Sequence, residues 1–246
     1  MITLFRRIRQ KLIDSGSVTK YLFYAIGEIL LVVIGILIAL QVNNWNEERK
    51  DLQLTEQYLL SLREDLQEDL TMLQAGYDYA YTDSVRLYFQ IARIKESDAH
   101  PDTVKNIVLY EYVPHFRNPR PFNRKTYSTL ISTGDIGLLD SELTEKLMQL
   151  VKNQDVRTGL METANSGYAP SYLAMSYDYP MSGMPFSEKR AAERFDSINT
   201  SELLDVFNVV AFTKMETNEK IMTRSRIIEP LTRELIGMVS EELGDT

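Results

Sequence analysis

Three groups of residues carry polar chemistry out of keeping with their surroundings. Glu28 is a carboxylate inside the apolar run Tyr21–Val42. Arg117, Arg120 and Arg124 stand together in a proline-punctuated stretch near Tyr127. Guanidinium forks at such spacing suit an anion or a carboxylate; the same arginines equally suit pairing with the acids of neighbouring helices. Tyr168, Tyr172, Tyr177 and Tyr179 crowd into SGYAPSYLAMSYDYPMSGMPFS, residues 166–187. Tyrosine joins apolar area to a polar tip and suits a recognition surface. It also suits a loop that caps a helical bundle.

Other chemistries lack their residues. There is no cysteine, which excludes disulfides and thiolate metal sites, and the two histidines, His100 and His115, are a poor supply for zinc. No glycine-rich phosphate loop, G-x-S-x-G elbow or EF-hand pattern occurs. Asp65, Glu68 and Asp69 sit on a helical pattern and read as a solvated face. The residues thus point to no catalytic site, metal or cofactor, and to a protein that is not an enzyme.

Position along the chain matters more. Tyr21–Val42 is 22 residues with only Glu28 and Gln41 strongly polar. As a helix it spans about 33 Å, the thickness of a hydrocarbon core. Trp45 and the pair Tyr21 and Tyr24 lie near its ends, where interfacial aromatics belong. A cleaved signal peptide has a shorter apolar core and a small-x-small exit. Here the run ends Ile38-Ala39-Leu40-Gln41-Val42, so a retained signal-anchor is expected.

Arg6, Arg7, Arg9, Lys11 and Lys20 against Asp14 give residues 1–20 a charge of +4. With the chain at −8 and Glu28 at −1, the part beyond the apolar segment carries −11. The positive-inside rule places the basic head in the cytoplasm and the acidic part outside, in a Gram-negative bacterium the periplasm of its inner membrane. An acidic body also argues against nucleic acid as partner.

A lone ionised carboxylate at Glu28's depth costs about 2.5–3.5 kcal/mol. Three readings stand: protonation or snorkelling within its own helix, a polar contact with a second copy or a partner helix, or one wall of an oligomeric pore. Gly27, Gly35 and Ala39 are small residues spaced for close helix approach, and Gly35 follows Glu28 by seven.

The elements beyond the membrane follow from periodicity. Leu31, Ile38, Trp45, Leu52, Leu59, Leu66, Leu73, Ala80, Leu87 and Ile94 form one apolar row of period seven. That row predicts a long helix from the membrane to about Lys95. Leu62, Leu70, Tyr77 and Ile91 fit a companion row, but Arg49, Glu56 and Arg63 break it. The helix is therefore expected to pack on its own chain from about Leu59, with an exposed neck before it. Further helices are predicted over Asp102–Val113, Asn123–Ser132, Ser141 to about Thr163, Glu188–Phe195 and Glu202–Leu243, with Pro230 kinking or breaking the last near Ile228. Residues 166–187 read as an ordered loop or lid, with a short helix near Ser171–Ser176. The fold expected is all-α: a basic head (1–20), a transmembrane helix (21–42), a helical neck (43–58) and an antiparallel bundle (59–246).

YAIGEILLVVIGILIALQVNNWNE, Tyr24–Glu47, resembles the hallmark of an uncharacterised family of bacterial single-pass membrane proteins. TYSTLISTGDIGLLDSELTEKLMQL, Thr126–Leu150, is similar to that family's second block, with Thr133-Gly134 in place of Ser-Gly. The resemblance implies a basic head, an anchor and a helical outer domain. It implies no activity, cofactor or substrate. The leading expectation is a membrane-anchored scaffold or interaction protein that self-associates through its anchor. The rivals are a small-molecule sensor or binding module with an unknown ligand, and an oligomeric pore using Glu28.

Overall fold

The computed structural model describes residues 18–96, 100–114, 120–180 and 187–244. Among these, six α-helices and no strand occur: α1 (Val18–Glu96), α2 (Pro101–Asn106), α3 (Lys125–Thr133), α4 (Ser141–Asp178), α5 (Ser187–Arg194) and α6 (Thr200–Glu242). A π-helical segment, Ile107–Glu111, extends α2, and short 3-10 turns cover Asp135–Leu138 and Phe195–Ser197. The protein is all-α. Residues 1–17, Arg117 and the side chains of Tyr21 and Tyr24 lie outside what is described.

Two compact units divide at Gln57 and Tyr58. In the first, α1 stands without a core of its own. It is the one described helix long and apolar enough to cross a membrane; an 18-residue window of it has mean hydropathy 2.6 and none of it is buried. Leu31, Ile38, Trp45 and Leu52, four members of the heptad row, are all exposed, and Leu52 keeps 71% of its surface.

The second unit shows the same row doing the opposite. Leu59, Leu66, Leu73, Ala80 and Leu87 are all buried, Leu73 completely. Burial begins at Leu59, where the seven-residue spacing first coincides with helices able to cover it. α4 packs parallel and α6 antiparallel to this part of α1. Leu59, Leu147 and Leu235 meet in one cluster, Ala80, Met161 and Ile221 in the next, and Leu87, Met175 and Phe207 in the third. Each fully buried aliphatic side chain contributes about 1.5–3 kcal/mol, so these three layers supply the main hold on the bundle.

The companion row differs from the expected one. Leu70, Tyr77 and Ile91 are only half-buried; the buried row is Leu62, Asp69, Gly76, Asp83 and Gln90, with Gly76 half-buried. A row of seven-residue period is present, but its members beyond Leu62 are polar or small, so hydropathy alone misses it.

Helix ends follow capping chemistry. Asp140 accepts from the N–H groups of Glu142 and Leu143 and opens α4. Asn199 caps α6 by accepting from the N–H groups of Ser201 and Glu202. Gly134, at φ 84°, closes α3 in the left-handed region that glycine enters without strain. The loop expected at the tyrosines is absent, and so is a break at Pro230. The segment Tyr168–Tyr177 is not a loop: α4 runs on through Pro170 to Asp178. α6 likewise continues past Pro230 without a break. Proline removes one donor, but the turns around Tyr168 and Ile228 bury apolar side chains in the core, and that packing outweighs the local penalty.

Candidate functional site

Two buried polar groups interrupt the apolar packing, one on α1 between Leu62 and Leu73 and one between Ala80 and Leu87. The first contains Asp65 and Asp69. Asp65 Oδ2 accepts from the Thr126 N–H at 3.0 Å and Asp69 Oδ1 from the Asn123 N–H at 2.8 Å. No side chain of its own caps α3. Asp65 of α1 serves that helix start instead, where bare N–H groups and the helix dipole favour negative charge, and Asp69 holds the chain just before it at Asn123. The reading of Asp65 and Asp69 as a solvated face is thus corrected; both are buried, and Glu68 stays exposed while accepting from Asn123 Nδ2.

Asp69 Oδ2 also accepts from Gln154 Nε2 of α4 at 3.0 Å. Burial pushes the Asp69 carboxyl up to about 6, and the Asp65 charge adds to this; the hydrogen bonds from Asn123 and Gln154 and the charge of Arg124 pull the other way. Arg124 is held by Gln154 Oε1, the Val151 carbonyl and Asp155 Oδ1, the last at 2.6 Å.

Arg157 lies one turn beyond Gln154 on α4. Its side chain keeps only 2% of its surface, yet Nε and Nη2 meet no hydrogen-bond partner. Its charge centre lies 5.1 Å from the Phe122 ring, and a Cβ on Gly76 would stand 3.6 Å from Nη2. Burial lowers its pKa, with the Asp69 charge opposing. No carboxylate among the described residues comes within 4.0 Å of it. Arg157 walls a cleft of about 650 Å³, together with Asp69, Gly76, Arg120, Asn123 and Ile221. It also walls a smaller one, of about 230 Å³, beside Phe122 and Met161.

The second group is closed. Lys214 Nζ lies 3.0 Å from Asp83 Oδ2, donates also to the Val113 carbonyl, and sits 5.2 Å from the Tyr112 ring centroid. Asn218 Nδ2 donates to the same carboxylate at 2.8 Å. Burial lowers the Lys214 pKa, and Asp83 draws it back. Beside this group, the Tyr168 hydroxyl donates to the Pro114 carbonyl at 2.7 Å and so accepts from Tyr112 at 2.9 Å. Burial raises both phenols, Tyr112 further.

The residues singled out by sequence scatter accordingly. Tyr168 is a buried core group, Tyr172 stacks on it at half-burial, Tyr179 is partly buried, and Tyr177 is exposed. They form no common surface. Of the three arginines, Arg120 reaches the cleft rim, Arg124 is tied to α4, and Arg117 lies outside the described residues. Gly27 and Gly35 have open space where a Cβ would stand, Glu28 is half-buried, and Ala39 is exposed beside Trp45. Arg157, Asp83 and Lys214 were not legible as a site. The available signal was a charged residue on the inward face of an otherwise apolar period.

Residues 28–144 match a family of unknown function, DUF6090. The match spans just under half the chain, from the apolar segment of α1 through α3 to the first turn of α4. It includes Asp69, Gly76, Asp83 and Arg120, and stops short of Arg157 and Lys214. No curated protein and no solved structure matches the chain.

Proposed function

We propose that the chain is a single-pass membrane protein: residues 21–42 lie in a bilayer and hold a non-catalytic helical binding and interaction module at its surface. The basic head faces the cytoplasm, and the acidic bundle faces the opposite side, the periplasm in a Gram-negative cell. One observation carries this reading. No residue of the apolar window of α1 is buried, while the leucines of the same heptad row beyond Tyr58 bury nearly all of their surface. Exposed aliphatic surface on that scale, at about 25 cal/mol per Å², is stable only in lipid or against other apolar helices.

Copies associate through the anchor, with Gly27, Gly35 and Ala39 allowing close approach and Glu28 forming a polar contact across the seam. The support is the open space at both glycines. Nucleic acid is not a partner of a surface this acidic.

Protease added to intact spheroplasts is expected to digest the bundle and leave a short membrane-protected fragment around residues 21–42. A bundle untouched by protease, or a mature chain beginning beyond Gln41, removes the proposal. Cross-linking in mild detergent tests association: native protein gives oligomers that Gly35→Leu and Glu28→Ala weaken. Equal cross-linking in all three rejects the anchor as the contact.

A further inference from the structure

A buried guanidinium with unused donors is expensive, because an unpaired charge taken out of water costs several kcal/mol. Proteins keep such a group where something else completes it. Phe122 covers Arg157 through its ring face, but the N–H groups of a guanidinium lie in its plane and are not satisfied by a ring stacked on it. Asp69, the nearest acid in the cleft, has both oxygens engaged with Asn123 and Gln154. Gly76 lets the guanidinium lie against α1: a Cβ there would stand 3.6 Å from Nη2, and any larger side chain would push it aside.

We propose that the 650 Å³ cleft between α1, α4, α6 and the chain at Arg120–Asn123 binds a small organic carboxylate with an apolar body, and that Arg157 is its anion partner. The cleft falls in the size range of small-ligand sites, roughly 300–1,000 Å³. The ligand carboxylate pairs with the guanidinium charge where Arg157 lines the cleft, while Nε and Nη2 stay enclosed, and Arg120 at the exposed rim draws the anion in. Met72, Ala75, Pro121 and Ile221 face the same space and suit the apolar part. Glu68 and Asp69 line it too, which disfavours a phosphate dianion and favours a single negative charge. This goes beyond the anchoring role and does not depend on it: a failed topology experiment leaves it standing, and its own failure leaves the anchor untouched.

The test uses the full-length protein in detergent micelles, with phenylacetate as probe. Phenylacetamide has the same shape without the charge, and inorganic phosphate has charge without the apolar body. Phenylacetate is expected to raise the unfolding temperature in a saturable way, at least about tenfold more tightly than either control. Arg157→Met is expected to fold and to lose the response by about tenfold or more. Gly76→Val keeps the guanidinium but pushes it aside, so it too loses the response; it serves if Arg157→Met fails to fold. No shift from phenylacetate or hexanoate at about 10 mM, about ten times a weak Kd of 1 mM, overturns the proposal. So does an undiminished response in both variants, or tighter binding of phosphate than of any carboxylate.

Discussion

Lys214 and Arg157 are both buried in the same bundle, on facing helices, each opposite a member of α1's polar row. Their treatment is opposite. Lys214 has a carboxylate, a carbonyl and an aromatic face, and shares the carboxylate with Asn218. Arg157 has an aromatic face and an open cleft. The difference separates a charge that the fold has closed around from one it has left available. The first belongs to stability, the second to binding.

The largest effect expected from breaking this contrast is at the closed group. Lys214→Met leaves the buried Asp83 with only Asn218 and the distant, half-exposed Arg86, 4.0 Å away, and should cost about 3–5 kcal/mol. Denaturant unfolding followed by helical circular dichroism reads it; a loss under about 1 kcal/mol would mean that Asp83 finds water or another partner.

A second contrast lies along the apolar row, within one helix. Leu73→Ala empties a site with no exposure and should cost about 2–5 kcal/mol, while Leu52→Ala, in the first unit, should stay within about 0.5 kcal/mol. Comparable losses in detergent would show that Leu52 is covered by something other than solvent.

The smallest expected effect concerns Asp69. Its folded pKa, near 6, stands above the ordinary 3.8, mainly through burial. The protonated form is therefore favoured by folding. Its contribution is complete below the unfolded value and is lost as pH rises through about 6. Asp69→Asn cannot titrate, so the stability difference, variant minus native, should move in the variant's favour between pH 4 and pH 7. A difference independent of pH would place the Asp69 pKa at its ordinary value.

The extent of the helices was largely legible because heptad spacing, caps and glycine stops are local signals. Leu59 as the first covered member of the row, Asp140 as a cap and Gly134 as a stop all follow from near neighbours in sequence. Pro170 and Pro230 misled because the packing that keeps their helices intact comes from residues far along the chain. The candidate site was nearly illegible for the same reason. Asp65 and Asp69 look like solvent-facing acids until α3 and the chain just before it place their N–H groups against them. Arg157 looks like one more surface arginine until Gly76, Phe122 and Gln154 surround it. Only the rim residue Arg120 was visible in advance, through the arginine cluster.

The most direct measurement is the unfolding free energy of Arg157→Met beside that of Lys214→Met, in the same detergent and with no added ligand. If Arg157 is a cation held open for a ligand, replacing it with an apolar side chain removes an uncompensated charge and leaves stability unchanged or raised by about 1–4 kcal/mol, opposite in sign to Lys214→Met. A loss of several kcal/mol in both variants would contradict the account, since it would make Arg157 a structural cation with partners of its own.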